Sequence, residues 1–278
     1  MLTSALLAAA FAGLVAVGVS VAIERLGGRL GGLVGTLPTT IVPASIGIWF
    51  EAGEPALFQA AMDTVPGGML VNALFLLMWR VVPPRLPAMS LMRALTLMTA
   101  VSITLWFVLA LGFVRFAEGW SDGANPTWPL AVAGLVLLLG LGVAACLRAP
   151  PTPKGTNRVP RVTLVLRGIF AATAIGVTVW VATVAPLLAG VVAVFPAIFW
   201  TAMASTWLAQ GHKVPAGAAG PMMLGSSSVA VYALLAHWLF PAVGPVAGAA
   251  LAWTLAVVTT TVPAWWWLSG RTSHAPTP

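Results

Sequence analysis

Apolar residues run through this chain in blocks of about twenty, without the alternation of half-buried strands or the single apolar face of soluble helices. A hydrocarbon core of roughly 30 Å requires about 20 largely apolar helical residues. That ruler predicts nine membrane helices, at 2–23, 31–50, 66–82, 88–114, 128–147, 162–184, 187–208, 217–240 and 244–268. The expected class is all-α, a polytopic membrane protein of about nine transmembrane helices. No Lys or Arg precedes the first block, whereas Glu24, Arg25 and Arg29 follow it. This order is the reverse of a cleaved signal's, so the block counts as a span.

Composition removes the soluble alternatives. Only 7% of residues are charged and 60% are hydrophobic, against about 25% charged in a soluble domain. A soluble enzyme is excluded. The net charge of +7 would suggest nucleic acid only if the bases clustered on one face; they are scattered singly, so the expected partner is the lipid bilayer, with no nucleic acid. One cysteine, Cys146, excludes a disulfide framework.

The bases also orient the chain. With nine spans, twelve of the thirteen Lys and Arg fall on the C-terminal side of the membrane, and only Arg115 lies opposite. Lys and Arg favour cytoplasmic loops, which predicts an external N-terminus and a cytoplasmic C-terminus. Five of the six acids, including Glu51, Glu54 and Asp63, fall on the outer side. Trp49, Trp120, Trp128 and Trp238 fall at outer span ends, and Trp79, Trp207 and Trp265 to Trp267 at inner ends. Interfacial anchoring is the expected role of all of them.

A shift of 158 residues brings Pro38 onto Pro196 and aligns Gly18, Gly32, Trp49, Gly53 and Pro83 with Gly176, Gly190, Trp207, Gly211 and Pro241. Coincidences of Gly, Pro and Trp at one offset imply duplication. Spans one to four then match spans six to nine, and the single span between reverses the second copy. The expected organisation is a 4+1+4 inverted-topology repeat: residues 1–118, a linker helix and cytoplasmic loop over 119–160, residues 161–268, and a tail over 269–278. Such repeats characterise many secondary transporters, whose sites lie near the midplane at broken helices.

Spans two and seven are the pair expected to break. Each carries a Pro, Pro38 and Pro196, which removes a backbone donor and collides with the carbonyl four residues earlier. The carbonyls of Val34 and Val192 are the ones expected to be freed, and in lipid they require protein or water partners. Restarted helices would present N-terminal N–H groups to anything lodged there. Thr39 and Thr40 follow the first break, and Thr201 the second.

The string Leu188-Ala189-Gly190-Val191-Val192-Ala193-Val194-Phe195-Pro196 resembles the Ala-Gly-x-x-x-x-Phe-Pro turn of small bacterial membrane proteins of the GlpM type. The resemblance covers mainly spans six and seven, with Leu37-Pro38 as an echo. It implies a small bacterial inner-membrane ancestor, duplicated and joined through span five, and it brings no chemistry.

Further polar candidates are Asn72 in span three, and Ser226 and Ser227 in span eight, where small residues recur in both copies. No Asp, Glu, Lys or Arg falls at the middle of a proposed span. The segment Glu51–Pro66 is expected to be an interfacial amphipathic helix, His237 an interfacial hydrogen bonder, and Arg115 either to snorkel or to pair with Glu118. A single His makes a poor zinc site, so no metal, cofactor or catalytic residue is expected, and enzyme motifs are missing. The leading expectation is a permease for a small neutral or weakly anionic solute, with Pro38, Thr39, Thr40, Asn72, Pro196, Thr201, Ser226 and Ser227 at its site. The alternative is a non-transporting accessory subunit of an envelope polysaccharide or lipid pathway. The oligomeric state is left open.

Overall fold

The computed structural model describes residues 36–123, 125–148 and 161–272, with six helical positions near the start: Leu6, Ala9, Ala10, Gly13, Leu14 and Val17. Most of the expected first span, the first part of the second, and the loop and tail around 149–160 and 273–278 lie outside the described residues.

Every element among the described residues is helical: α1 (Ile41–Ala52), α2 (Pro55–Val81), a short 3₁₀ turn (Pro83–Arg85), α3 (Leu91–Asp122), α4 (Trp128–Leu147), α5 (Arg161–Ala182), α6 (Pro186–Val192), α7 (Ala197–Gln210), α8 (Lys213–Gly225), α9 (Ser227–Val243) and α10 (Pro245–Ala256), followed through a π-helical turn (Val257–Thr261) by α11 (Val262–Thr272). Six stretches are long and apolar enough to cross a membrane: Pro55–Arg85, Leu91–Asp122, Trp128–Leu147, Pro186–Leu208, Lys213–Val243 and Pro245–Gly270. The chain is a helical, membrane-embedded protein. Two further expected spans meet shorter apolar helices, Ile41–Ala52 and Gly168–Ala182.

Helix α2 is the hub, packing against α1, α3, α4, α6, α8 and α9. It begins eleven residues before the expected start of span three. Gly53, at φ 72°, turns the chain, and Pro55 opens the helix at its first turn, where no amide donor is needed. Phe58, Ala61, Met62 and Asp63 are buried in the bundle. The expected interfacial helix over 51–66 is therefore corrected: from Pro55 onward this stretch is the buried first half of a long helix.

The tryptophan expectation is corrected at three positions. Trp79 is fully buried and meets Trp207 edge to face at 5.8 Å. Trp49 packs on Phe58 and Phe240 at 5.0 and 5.8 Å. Position in a span does not determine whether a ring faces lipid or a neighbouring helix. Trp128, Trp238 and Trp266 are exposed.

Close approach of the helices depends on small residues, since apolar side chains gain little by leaving lipid for a helix interface. A Cβ on Gly190 of α6 would lie 1.9 Å from the Ala61 carbonyl oxygen of α2. Helix α4 presses two glycines on the bundle. Gly134 would meet the Gly67 nitrogen at 3.0 Å, and Gly142 the Leu224 Cα at 2.8 Å.

Candidate functional site

Both prolines of the paired segments stand in non-helical turns just before a helix starts. Residues 36–40 form turns, and α1 starts only at Ile41. On the other segment α6 ends at Val192, and Pro196 caps α7. The backbone tightens before it stops: Val194 N donates to Val191 O at 3.3 Å, and Phe195 N to Val192 O at 3.0 Å. These are the i→i+3 bonds of a 3₁₀ turn. The expectation of an orphaned Val192 carbonyl is thereby corrected; that of Val34 lies outside the described residues.

The Val194 carbonyl accepts no backbone donor. Asn72 Nδ2 donates to it at 2.6 Å, while Asn72 Oδ1 accepts from Trp106 Nε1 at 2.7 Å. Thr36 occupies the position 158 residues earlier, and its carbonyl accepts from the Ser228 hydroxyl at 2.9 Å. Each break is thus capped by a side chain from the other half of the chain. Ser45 and Tyr232, also from the two halves, share a hydrogen bond of 2.6 Å.

The two breaks border one cavity of about 60 Å³, lined by Thr36, Leu37, Thr40 and Ile41 from the first, by Ala193 to Pro196, Ile198 and Phe199 from the second, and by Met69, Asn72 and Val229 between them. At roughly 10–15 Å³ of such space per molecule, it has room for a few waters. Among the described residues, no charged side chain lines it. Helices α1 and α7 both start at its wall, and neither has a side-chain N-cap. Ala197 N already donates to Phe195 O at 2.8 Å, and Pro43 in the first turn of α1 has no N–H, so the donors each helix start could offer are those of Ile41 and Val42 and of Ile198 and Phe199.

Of the expected site residues, Thr40, Asn72 and Pro196 line the cavity, and Pro38 lies in the break beside Leu37. Thr39 turns back on Leu37 O at 3.4 Å. Thr201 bonds Ala197 O and Ile198 O at 2.9 and 3.1 Å. Ser226 and Ser227 bond Met223 O and Leu224 O, each at 2.7 Å. These four hydroxyls serve their own preceding turns, and none borders the cavity. Ser228, outside the expected set, shares its hydroxyl between Thr36 O in the break and Gly225 O of its own preceding turn, at 2.9 and 2.8 Å.

A second polar cluster was missed altogether. Asp63 in α2 is 2% exposed, and its Oδ1 lies 2.8 Å from Nδ1 of His237 in α9. The ring is not aligned for a linear hydrogen bond, so the two groups are in close polar contact without one. The Thr127 hydroxyl donates to Asp63 Oδ2 at 2.6 Å, and Gln59 Nε2 donates to the His237 carbonyl at 3.2 Å. His237 is therefore a buried cross-helix partner and not an interfacial bonder. Arg115 does pair with Glu118, at 3.0 Å on an exposed face.

The two ends of the bundle differ. Near Gly53, Phe58 and Phe240 stack at 4.7 Å beside Trp49. The positions 158 residues away are Ala216, Val82 and Trp207, with only one large ring among them. There a pocket of about 300 Å³ opens between the 83–94 stretch, Trp207 and His212. No family model, curated protein or solved structure matches the chain.

Proposed function

We propose that this chain is a carrier for a small solute in the bacterial inner membrane, built of nine spans in a 4+1+4 inverted repeat with an external N-terminus. The single observation that carries the reading is the shared cavity at the two proline breaks, with the matched carbonyls of Thr36 and Val194 each capped from the opposite half.

Several features support inversion. Under the 158-residue shift, Ala52 and Gln210 end α1 and α7, Pro55 and Lys213 begin α2 and α8, and Gly53 and Gly211 carry φ of 72° and 78°. The first and sixth spans meet in opposite senses: Val17 abuts Gly168, while Ala9 abuts Gly176. A two-fold axis in the membrane plane requires its own helix to meet the two copies alike. Gly134 and Gly142, four residues either side of buried Leu138, press on Pro66–Gly67 and on Leu224, and Pro66 matches Leu224 under the same shift.

The uncharged lining, with Asn72, Thr40 and two helix N-termini, favours a small neutral or weakly anionic solute bearing hydrogen-bond acceptors. A cavity of about 60 Å³ has room for only a few waters, so a larger solute requires the halves to part. The aromatic seal at the Gly53 end and the pocket at the Gly211 end support a conformation closed to the outside. The test uses a Cys146→Ser background with cysteines at Thr40 or Ile198, which are matched cavity positions. A membrane-impermeant thiol reagent should reach both from either face, depending on conditions. Protection from both faces under every condition overturns the carrier reading.

A further inference from the structure

An ionisable side chain buried among apolar helices is expensive and by default marks a functional site. Asp63 is such a group, and the cavity at the proline breaks makes no use of it. Its partners come from three elements: His237 from α9, Thr127 from the turn that opens α4, and its own helix, which also sends Gln59 to the His237 carbonyl. No Lys or Arg among the described residues lies within 4.0 Å of it. The other charged groups toward this end are Glu51, exposed Glu54, Asp122 and the Arg115–Glu118 pair on α3. The carboxylate is thus not neutralised by a fixed cation. Its counter-charge exists only when His237 holds a proton, and histidine is the side chain that gains and loses one near neutral pH.

The position gives the pair leverage. Asp63 belongs to the first half of the chain and His237 to the second, and both lie beside the Phe58–Phe240 stack. With one proton on the pair, an imidazolium faces a carboxylate and the halves attract. Without it, a neutral ring faces a buried carboxylate whose Oδ2 accepts from the Thr127 hydroxyl. Asn72, on the same helix, lies nine residues from Asp63, about 14 Å along the axis. Pro66 interrupts the helix hydrogen bonding between them. The matched positions at the other end are Pro221 and Trp79, neither of which titrates, so the device is one-sided.

We propose that Asp63 and His237 form a proton-binding site across the two halves, taking one proton from water at the Gly53 end and thereby holding that end closed. The coupling role rests on the carrier reading; the proton site itself does not. Only an N–H or O–H bond forms, and the proton returns to water on release.

The test is thermal unfolding of the purified full chain in lipid nanodiscs between about pH 5 and 8. A proton taken up or released by the folded pair within this range makes the wild-type midpoint depend on pH. Asp63→Asn and His237→Gln should each flatten that slope, and the double variant should flatten it no further. An unchanged slope in both variants overturns the proposal. Should these variants fail to fold, ¹⁵N-histidine spectra of the folded His212→Asn, His274→Asn protein report the remaining ring directly. That ring should titrate in the same range, and a ring fixed in one state throughout overturns the site. Failure of cysteines at Thr40 and Ile198 to change face, with the proton linkage intact, would sink the carrier reading and leave this site standing.

Discussion

Asn72 donates to the carbonyl of Val194 across 2.6 Å, joining the middle of α2 to the backbone of a helix break 122 residues away. The same amide accepts the indole N–H of Trp106, so one buried side chain satisfies two groups at once. Replacing Asn72 with Ala leaves both unpaired. Buried unsatisfied groups cost about 1–3 kcal/mol each, and hydrogen bonds between membrane helices average nearer 0.6. The expected loss for Asn72→Ala is about 2 kcal/mol, measured by reversible unfolding in mixed micelles.

Gly190 sets how closely α6 approaches α2. A Cβ there falls 1.9 Å from Ala61 O and 2.2 Å from Thr64 Oγ1, and a backbone carbonyl cannot swing aside. Overpacking typically costs about 1–3 kcal/mol and sometimes more. Gly190→Ala should sit at the upper end and sharply reduce the yield of folded protein. Gly112→Ala in α3, with nothing within 4 Å, should be neutral or slightly stabilising. Size-exclusion yield and melting midpoint separate the two.

The stack of Phe58 on Phe240 predicts an end-specific effect. Both rings are fully buried. Truncating such a ring costs about 3 kcal/mol or more. Phe240→Ala should lose about that much stability and should speed labelling of a cysteine at Thr40 from the Gly53 face. Val82→Ala, at the matched position beside the open pocket, should do neither.

The contacts of α4 test the duplication energetically. Gly134→Ala and Gly142→Ala meet backbone at 3.0 and 2.8 Å at matched points of the two halves, whereas Gly140 has nothing within 4 Å. The first two should destabilise to a similar extent, by about 1–3 kcal/mol, and Gly140→Ala should not. Urea or dodecyl-sulfate titration of the three variants decides it.

How much of this was legible in the sequence follows from how local each cause is. Proline's missing donor is covalent, so the breaks at Pro38 and Pro196 could be located without coordinates. Which carbonyl is left over could not, because it depends on whether the last turn stays α-helical or tightens to 3₁₀, as it does at Val192 to Phe195. Thr39, Thr201, Ser226 and Ser227 read as site residues because hydroxyls in apolar helices stand out, yet such groups commonly bond the preceding turn. Asp63 read as interfacial because its contact partner stands 174 residues away in His237. A contact of that kind exists only after folding, and the same holds for the pairing of Trp79 with Trp207.

The inversion of the two halves is the claim on which the carrier reading stands, and labelling of matched loop positions tests it most directly. Glu54 and His212 occupy equivalent positions under the 158-residue shift, each just after a positive-φ glycine. Cysteines at Glu54 and His212, in the Cys146→Ser background, should react with a membrane-impermeant maleimide from opposite faces, the first only from outside intact cells and the second only after the membrane is opened. Reaction of both from the same face would contradict the account.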